Sequence, residues 1–153
     1  MSNSSWLWLC LAAYAIRVLE EFVFDWESWA RRVLKLPARW ADFYITNSLV
    51  MILGIVAAMI VAENPILALG FAGLMLVNAV FFHIVPFVVT RGRFSPGLIT
   101  AVSLFLPLGV LTIRAAHLTI RADLEIIGVG ALLMAVPIIF LKLAAKPYFD
   151  QNR

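Results

Sequence analysis

Four long apolar stretches dominate the chain, and few folds can hold them. They run approximately from Phe43 to Ala62, Pro65 to Val89, Pro96 to Ile113 and Leu124 to Leu143. At ~1.5 Å rise per residue, a helix of any of these lengths crosses a ~30 Å hydrocarbon layer. Lipid offers no partner for a backbone N–H or C=O, so such stretches fold as helices, which pair those groups internally. A fifth stretch, about Trp6 to Phe24, has a similar length but carries Arg17, Glu20 and Glu21 in its second half. The expected fold is all-α: a polytopic membrane helix bundle of about five transmembrane helices plus one interfacial amphipathic helix, forming a single integral membrane domain over residues 1–153.

Composition agrees with that architecture. Only 14% of the residues are charged, against about 25% in soluble domains, and the mean hydropathy is +0.98. The length accommodates five spans with short connections and no separate soluble domain. The net charge of +3 comes from basic residues beside the spans rather than on one soluble face, so nucleic acid is not an expected partner. The lone Cys10 has no second cysteine to pair with and sits in an apolar run, as a small core residue does. No Lys or Arg precedes the apolar run Trp6 to Ile16, so it lacks the basic start of a secretory signal.

With five spans, Arg31, Arg32, Lys35, Arg39, Arg91, Arg93, Lys142, Lys146 and Arg153 fall on one side and only Arg114 and Arg121 on the other. The positive-inside rule then places the N-terminus outside and the C-terminus in the cytoplasm, in a membrane such as the bacterial inner membrane. Between the first two spans, over about 26–36, Trp26, Trp29, Ala30, Val33 and Leu34 share one helical face, opposite Glu27, Ser28, Arg31, Arg32 and Lys35. This predicts the interfacial helix, with Trp anchors in the cytoplasmic leaflet and Pro37 ending it. Gly54, Ala58, Gly70, Gly73, Gly128 and Gly130 are expected to permit close helix contact.

Ionisable residues inside spans are costly, and that cost directs attention to the first helix. Cys10, Tyr14, Arg17 and Glu21 follow one stripe, with Glu20 alongside, and this stripe is expected to face protein. Arg17 can reach Glu20 or Glu21 one turn on, which offsets part of the insertion cost and leaves one carboxylate in surplus. Asn78 and His83 lie in the same half of the third span, where Pro86 frees the carbonyl of Phe82, and Asn47 lies near the start of the second span. After the third span, in Arg91-Gly92-Arg93-Phe94-Ser95-Pro96-Gly97, Ser95 is expected to cap the fourth helix and Pro96 to occupy its first turn. Arg91 and Ser95 thus mark a candidate anion site at a helix N-terminus.

These residues resemble the HXXEE-domain membrane proteins over about Ala12 to Leu108. That family's pattern is a His-x-x-Glu-Glu motif in the first helix, a later histidine, and then an Arg-x-x-Tyr-Ser-Pro-Gly segment. The counterparts here are Arg17-Val18-Leu19-Glu20-Glu21, His83 and Arg91-Gly92-Arg93-Phe94-Ser95-Pro96-Gly97. Arg17 replaces the motif histidine and Phe94 the tyrosine. The resemblance supplies neither substrate nor reaction. Two histidines and two carboxylates would suit a transition metal. Arginine cannot ligate, and its charge repels a cation. No cofactor is therefore expected, and a metal on His83, Glu20 and Glu21 ranks behind proton chemistry or ion pairing.

Two functions fit these residues. One is an intramembrane enzyme on a lipid-like or isoprenoid substrate, with Glu20, Glu21 and His83 as acid and base, and with Arg17, Asn47, Asn78, Arg91 and Ser95 binding the polar end. The other is a non-enzymatic binding or accessory subunit, or a small carrier, whose polar residues hold helices together. Membrane lipid and a hydrophobic small molecule are the expected partners. Transport would call for a homo-oligomer, since five spans without an internal repeat are few for a transporter monomer.

Overall fold

The computed structural model describes residues 1–143, with side chains described through residue 139; all regular structure among the described residues is helical. Helix α1 covers Asn3–Val23, with the Ser2 side chain accepting from the Ser5 amide at its start. A short α2 follows as an α-helical turn over Trp26–Trp29 that widens to a π-helix over Ala30–Leu34. The remaining helices are α3 (Trp40–Ile60), α4 (Pro65–Val89), α5 (Leu98–Ala115) and α6 (Ile120–Leu143). These last four are long and apolar enough to cross a membrane, and the protein is a helical membrane bundle. In the charge pattern that sets orientation, Lys142, Lys146 and Arg153 lie outside the residues whose side chains are described.

Helix α1 is as long as α3 but mixed in polarity, and the bundle sorts the mixture by face. Leu9, Ile16, Leu19 and Val23 are exposed, whereas Cys10, Tyr14, Arg17 and Glu21 are buried against neighbouring helices. The outer face is thus apolar where lipid would lie, and the costly groups find protein partners. Helices α4 and α6 pack backbone to backbone. A Cβ on Gly73 would stand 2.5 Å from the Ile126 carbonyl oxygen, and one on Gly130 would run into the Gly73 backbone. Gly128, expected to serve the same contact, faces open space instead, because it lies on the other side of α6 from Gly130.

Helix α2 departs from the sequence reading in where its apolar face points. Trp29 and Ala30 are buried with Leu36 and Ala38 in a small cluster of their own, so Trp29 is a packing residue rather than a lipid anchor. Its indole lies nearly parallel to the His83 ring, with centroids 6.5 Å apart. The basic side remains outward: Arg31 donates to the Ala38 carbonyl at 2.8 Å and pairs with Glu27 at 3.5 Å.

Two spans also widen locally. Ala79–Ile84 of α4 and Ala101–Phe105 of α5 are π-helical, and each precedes a proline, Pro86 and Pro107. Such turns are common where a helix is shaped for a purpose. In an α-helix, residues five apart lie about 140° apart around the axis. The π-turn, with its i→i+5 register, brings Asn78 and His83 to one face instead.

Candidate functional site

The polar residues of four helices meet at one end of the bundle. Arg17 and Glu21 come from the last turns of α1, Asp42 and Asn47 from the start of α3, and Asn78 and His83 from the π-widened end of α4. Ser95 and Gly97 come from the turn into α5. His83 and Ser95 are fully buried and Glu21 nearly so, at 1% exposure.

The centre of the cluster is Arg17. Its Nη2 donates to Glu21 Oε1 at 2.6 Å, and its Nε lies 3.4 Å from His83 Nε2. Its guanidinium carbon sits 5.3 Å from the Tyr14 ring centroid and 5.6 Å from that of Phe105, two rings that stack on each other. The cation is therefore held by one carboxylate and two aromatic faces, which replace the water it would have outside.

The Arg17 contact favours one tautomer of His83. A guanidinium only donates, so the His83 Nε2 facing it carries a lone pair and the ring proton sits on Nδ1. That N–H donates to Ser95 Oγ at 3.0 Å, and the Ser95 hydroxyl donates to the Phe82 carbonyl at 3.3 Å. Pro86, lacking an N–H, leaves that carbonyl free of its helical partner. Asn78 Oδ1 stands 3.2 Å from the same Nε2, with Nδ2 toward Met134 Sδ at 3.5 Å; with the amide turned over, its NH2 group would donate to that lone pair. Glu21 Oε1 is 3.7 Å from Nε2, so the carboxylate, guanidinium and imidazole form one continuous unit.

The adjacent glutamates of the motif have separate partners. Glu20 leaves the cluster and receives the amides of Gly97 and Ile99 at 3.1 Å and of Thr100 at 2.8 Å. It thereby supplies the cap of α5 from another helix. This corrects the local sequence reading. Gly97, at φ 93°, is the N-cap and Leu98 begins the helix, while Ser95 is drawn inward to His83. The amides expected to meet an anion are already bound to Glu20, and Arg91 stands exposed on the turn with φ 57°, away from the cluster. Gly97 answers two demands, since a Cβ there would also lie 2.6 Å from His83 Cε1.

One atom of the cluster has no partner. Glu21 Oε2 is buried without a hydrogen bond among the described residues. Glu21 lines a cavity of about 50 Å³ together with Arg17, Asp42, Asn47, Asn78 and Trp26. At ~10–15 Å³ per water, that is room for about three to five small atoms. Thr46, Val50 and Pro137 border both this cavity and an apolar groove of about 350 Å³ between α3 and α6, whose walls include Leu49, Leu133 and Val136. The polar cluster and the apolar groove are thus neighbours that share these three wall residues.

Of the residues singled out from sequence, Arg17, Glu21, Asn78, His83 and Ser95 converge directly. Asn47 joins through Tyr14, whose hydroxyl donates to its Oδ1 at 2.6 Å. Asp42 escaped the sequence reading because it sits where a chain enters the membrane, a place where carboxylates are ordinary. Its position in the first turn of α3, between Trp40 and Tyr44, was the available signal. Phe105 and Trp29 had no signal, since only tertiary packing lays them on Arg17 and His83. Divalent metal chemistry finds a poor donor set, because the Arg17 guanidinium already faces both Glu21 Oε1 and His83 Nε2 while Glu20 serves backbone amides. No three His, Cys, Asp or Glu side chains gather among the described residues.

A family profile described as a protein of unknown function with HXXEE motif matches residues 8–112. No curated protein and no solved structure matches the chain. The matched stretch holds the motif in α1, His83, and the segment from Ser95 to Gly97, the same elements that meet in the cluster.

Proposed function

The chain belongs to the family of proteins with an HXXEE motif, and we propose that its motif residues form the site of an intramembrane enzyme acting by acid/base chemistry on a lipid-like or isoprenoid substrate. The observation that carries this reading is the division of labour within Glu21. Its Oε1 is fixed by Arg17, while its Oε2 has no hydrogen-bond partner among the described residues, and Glu21 lines a cavity beside an apolar groove. A carboxylate held by one oxygen and free at the other is positioned to take a proton from a group seated in the cavity. His83, 3.7 Å away, and Arg17 stabilise the altered charge distribution, and Asn47 and Asn78 orient the polar end.

A second reading has its own support. The bonds from Glu20 to α5, from Tyr14 to α3 and from Cys10 to Thr112 join helices distant in sequence, as the polar residues of a structural or accessory subunit would. The two readings part on Glu21→Gln, which keeps an oxygen for Arg17 but removes the base. Purified protein and this variant, each reconstituted with a total polar lipid extract, are compared by lipid mass spectrometry. Conversion by the parent, absent from a folded Glu21→Gln protein, is the expected result. Identical lipid profiles would leave the helix-holding reading in its place.

For orientation we propose an N-terminus outside and a C-terminus in the cytoplasm, in the inner membrane of a bacterium. The support is that Arg31, Arg32, Lys35, Arg39, Arg91 and Arg93 all flank the site end of the bundle. Thiol labelling of cysteines introduced at Arg91 and at Arg121 tests it, with the first accessible only from the cytoplasmic side.

A further inference from the structure

We propose that the cavity beside Glu21 receives the protonated amine of a single-chain amphiphile whose hydrocarbon tail lies in the groove between α3 and α6; this rests on the reading of the site as one for a lipid-like molecule and names the class. Charge is the first argument. Arg17 and Glu21 cancel at 2.6 Å, and the cavity wall then retains Asp42, buried at 9% exposure, with no second cation among the described residues that line it. The free acceptor Glu21 Oε2 adds an unmet demand for a hydrogen-bond donor. A phosphate or carboxylate would bring acceptors to a wall already one negative charge in excess.

Shape and surface point the same way. The volume of about 50 Å³ fits an ammonium with its first one or two carbons, not a branched headgroup. Trp26 and Phe43, 5.2 Å apart, line the cavity with Phe82, and aromatic rings attract cations. The tail would pass into the adjoining groove. Thr46, Val50 and Pro137 form the shared border, and beyond them the groove is lined almost wholly by apolar side chains, open along its lipid side. Its volume of about 350 Å³ suits one chain rather than two. In acid/base terms, the N–H bond of the ammonium breaks, the proton passes to Glu21 Oε2, and the nitrogen keeps the electron pair as a free amine.

The test uses the full chain in phosphatidylcholine nanodiscs, with Trp fluorescence and native mass spectrometry reporting on dodecylamine, dodecanol and dodecyl phosphate. Dodecylamine should bind at least about tenfold more tightly than dodecanol, and dodecyl phosphate should not bind. Asp42→Asn should bring the amine down toward the alcohol, and Leu133→Trp, which fills the groove, should weaken both while thermal melting shows each variant folded. Equal affinity for amine and alcohol, or amine binding untouched by both substitutions, overturns the inference. Binding of dodecyl phosphate that Leu133→Trp abolishes overturns it too, yet leaves the lipid-like substrate standing. Failure of all three amphiphiles to bind overturns both.

Discussion

Arg17 Nη2 stands 2.6 Å from Glu21 Oε1, one turn along the same helix, with both side chains buried. The pair is inexpensive only as a pair. Arg17→Met leaves a buried carboxylate without its counter-charge and should cost about 3–5 kcal/mol, whereas Arg17→Met combined with Glu21→Leu should recover most of that loss. Thermal unfolding in detergent measures both. A single variant that melts no lower than the double one would show that the carboxylate finds water when the guanidinium is gone.

Glu20 holds three amides at the start of α5, a duty usually given to a side chain of the capped helix itself. Glu20→Ala should destabilise by about 2 kcal/mol, because all three donors lose a charged acceptor at once. Glu20→Gln retains one acceptor oxygen and should cost about half as much. Amide exchange over residues 97–100 localises the effect. Protection there unchanged in Glu20→Ala would mean that the cap is supplied by something else.

Gly97→Ala and Gly128→Ala form a contrasting pair. At Gly97 the backbone is at φ 93° and the added methyl would meet the His83 ring, so both strain and collision follow. A loss of about 2 kcal/mol or more is expected, along with displacement of His83 from Ser95. At Gly128 nothing lies within 4 Å of the added atom, and the better helix propensity of Ala should leave stability unchanged or raised by about 0.5–1 kcal/mol. Melting temperatures of the two variants on opposite sides of the parent's are the expected pattern.

The sequence announced the bundle because spans of this length have one way to pair their backbones, and the buried stripe Cys10, Tyr14, Arg17 and Glu21 because helical periodicity is local. What it concealed was partnership. Nothing in Glu20-Glu21 says that one carboxylate turns to the amides of α5 and its neighbour to a cavity, since adjacent residues on a helix point about 100° apart and the target of each is set by the other helices. The meeting of Asn78 with His83 depends on a π-turn, and π-turns leave no propensity signature. Ser95 looked like a cap because caps are recognised by residue type, and the same hydroxyl serves equally well to satisfy an imidazole and a carbonyl freed by proline.

At the turn between α1 and α2, Asp25 gives a pH dependence whose sign is fixed. Its carboxylate accepts from Ser28, hydroxyl and amide together, and this holds its pKa below the ordinary carboxylate value of about 3.9. A group depressed in the folded state contributes its stabilisation fully above the unfolded value and loses it as pH falls through the lower, folded one. The turn into α2 should therefore loosen in acid, below the range where exposed carboxylates titrate. Asp25→Asn should remove that acid step while preserving the turn, because Asn can also accept from the Ser28 amide and tolerates the φ of 54° seen here. Amide exchange of Ser28 followed against pH is the measurement, and an unaltered acid step in the variant would assign it to another group.

Arg17 stands where the family motif names a histidine, and its guanidinium lies against both Glu21 and His83 with a fixed positive charge. Arg17→His would exchange that tethered cation for a second imidazole, one turn from Glu21 and facing the His83 Nε2 that the arginine now meets at 3.4 Å. Two imidazoles and a carboxylate are a donor set that zinc accepts, with the Glu21 Oε2 lone pairs already free to turn toward it. Zinc should then raise the melting temperature of Arg17→His and copurify near one per chain, whereas the parent, whose arginine repels a cation from the same space, should show neither effect. Adding Glu21→Gln to Arg17→His should abolish the zinc-dependent shift. If the shift persists in the double variant, the metal lies elsewhere, and the space that Arg17 fills is not a latent cation site.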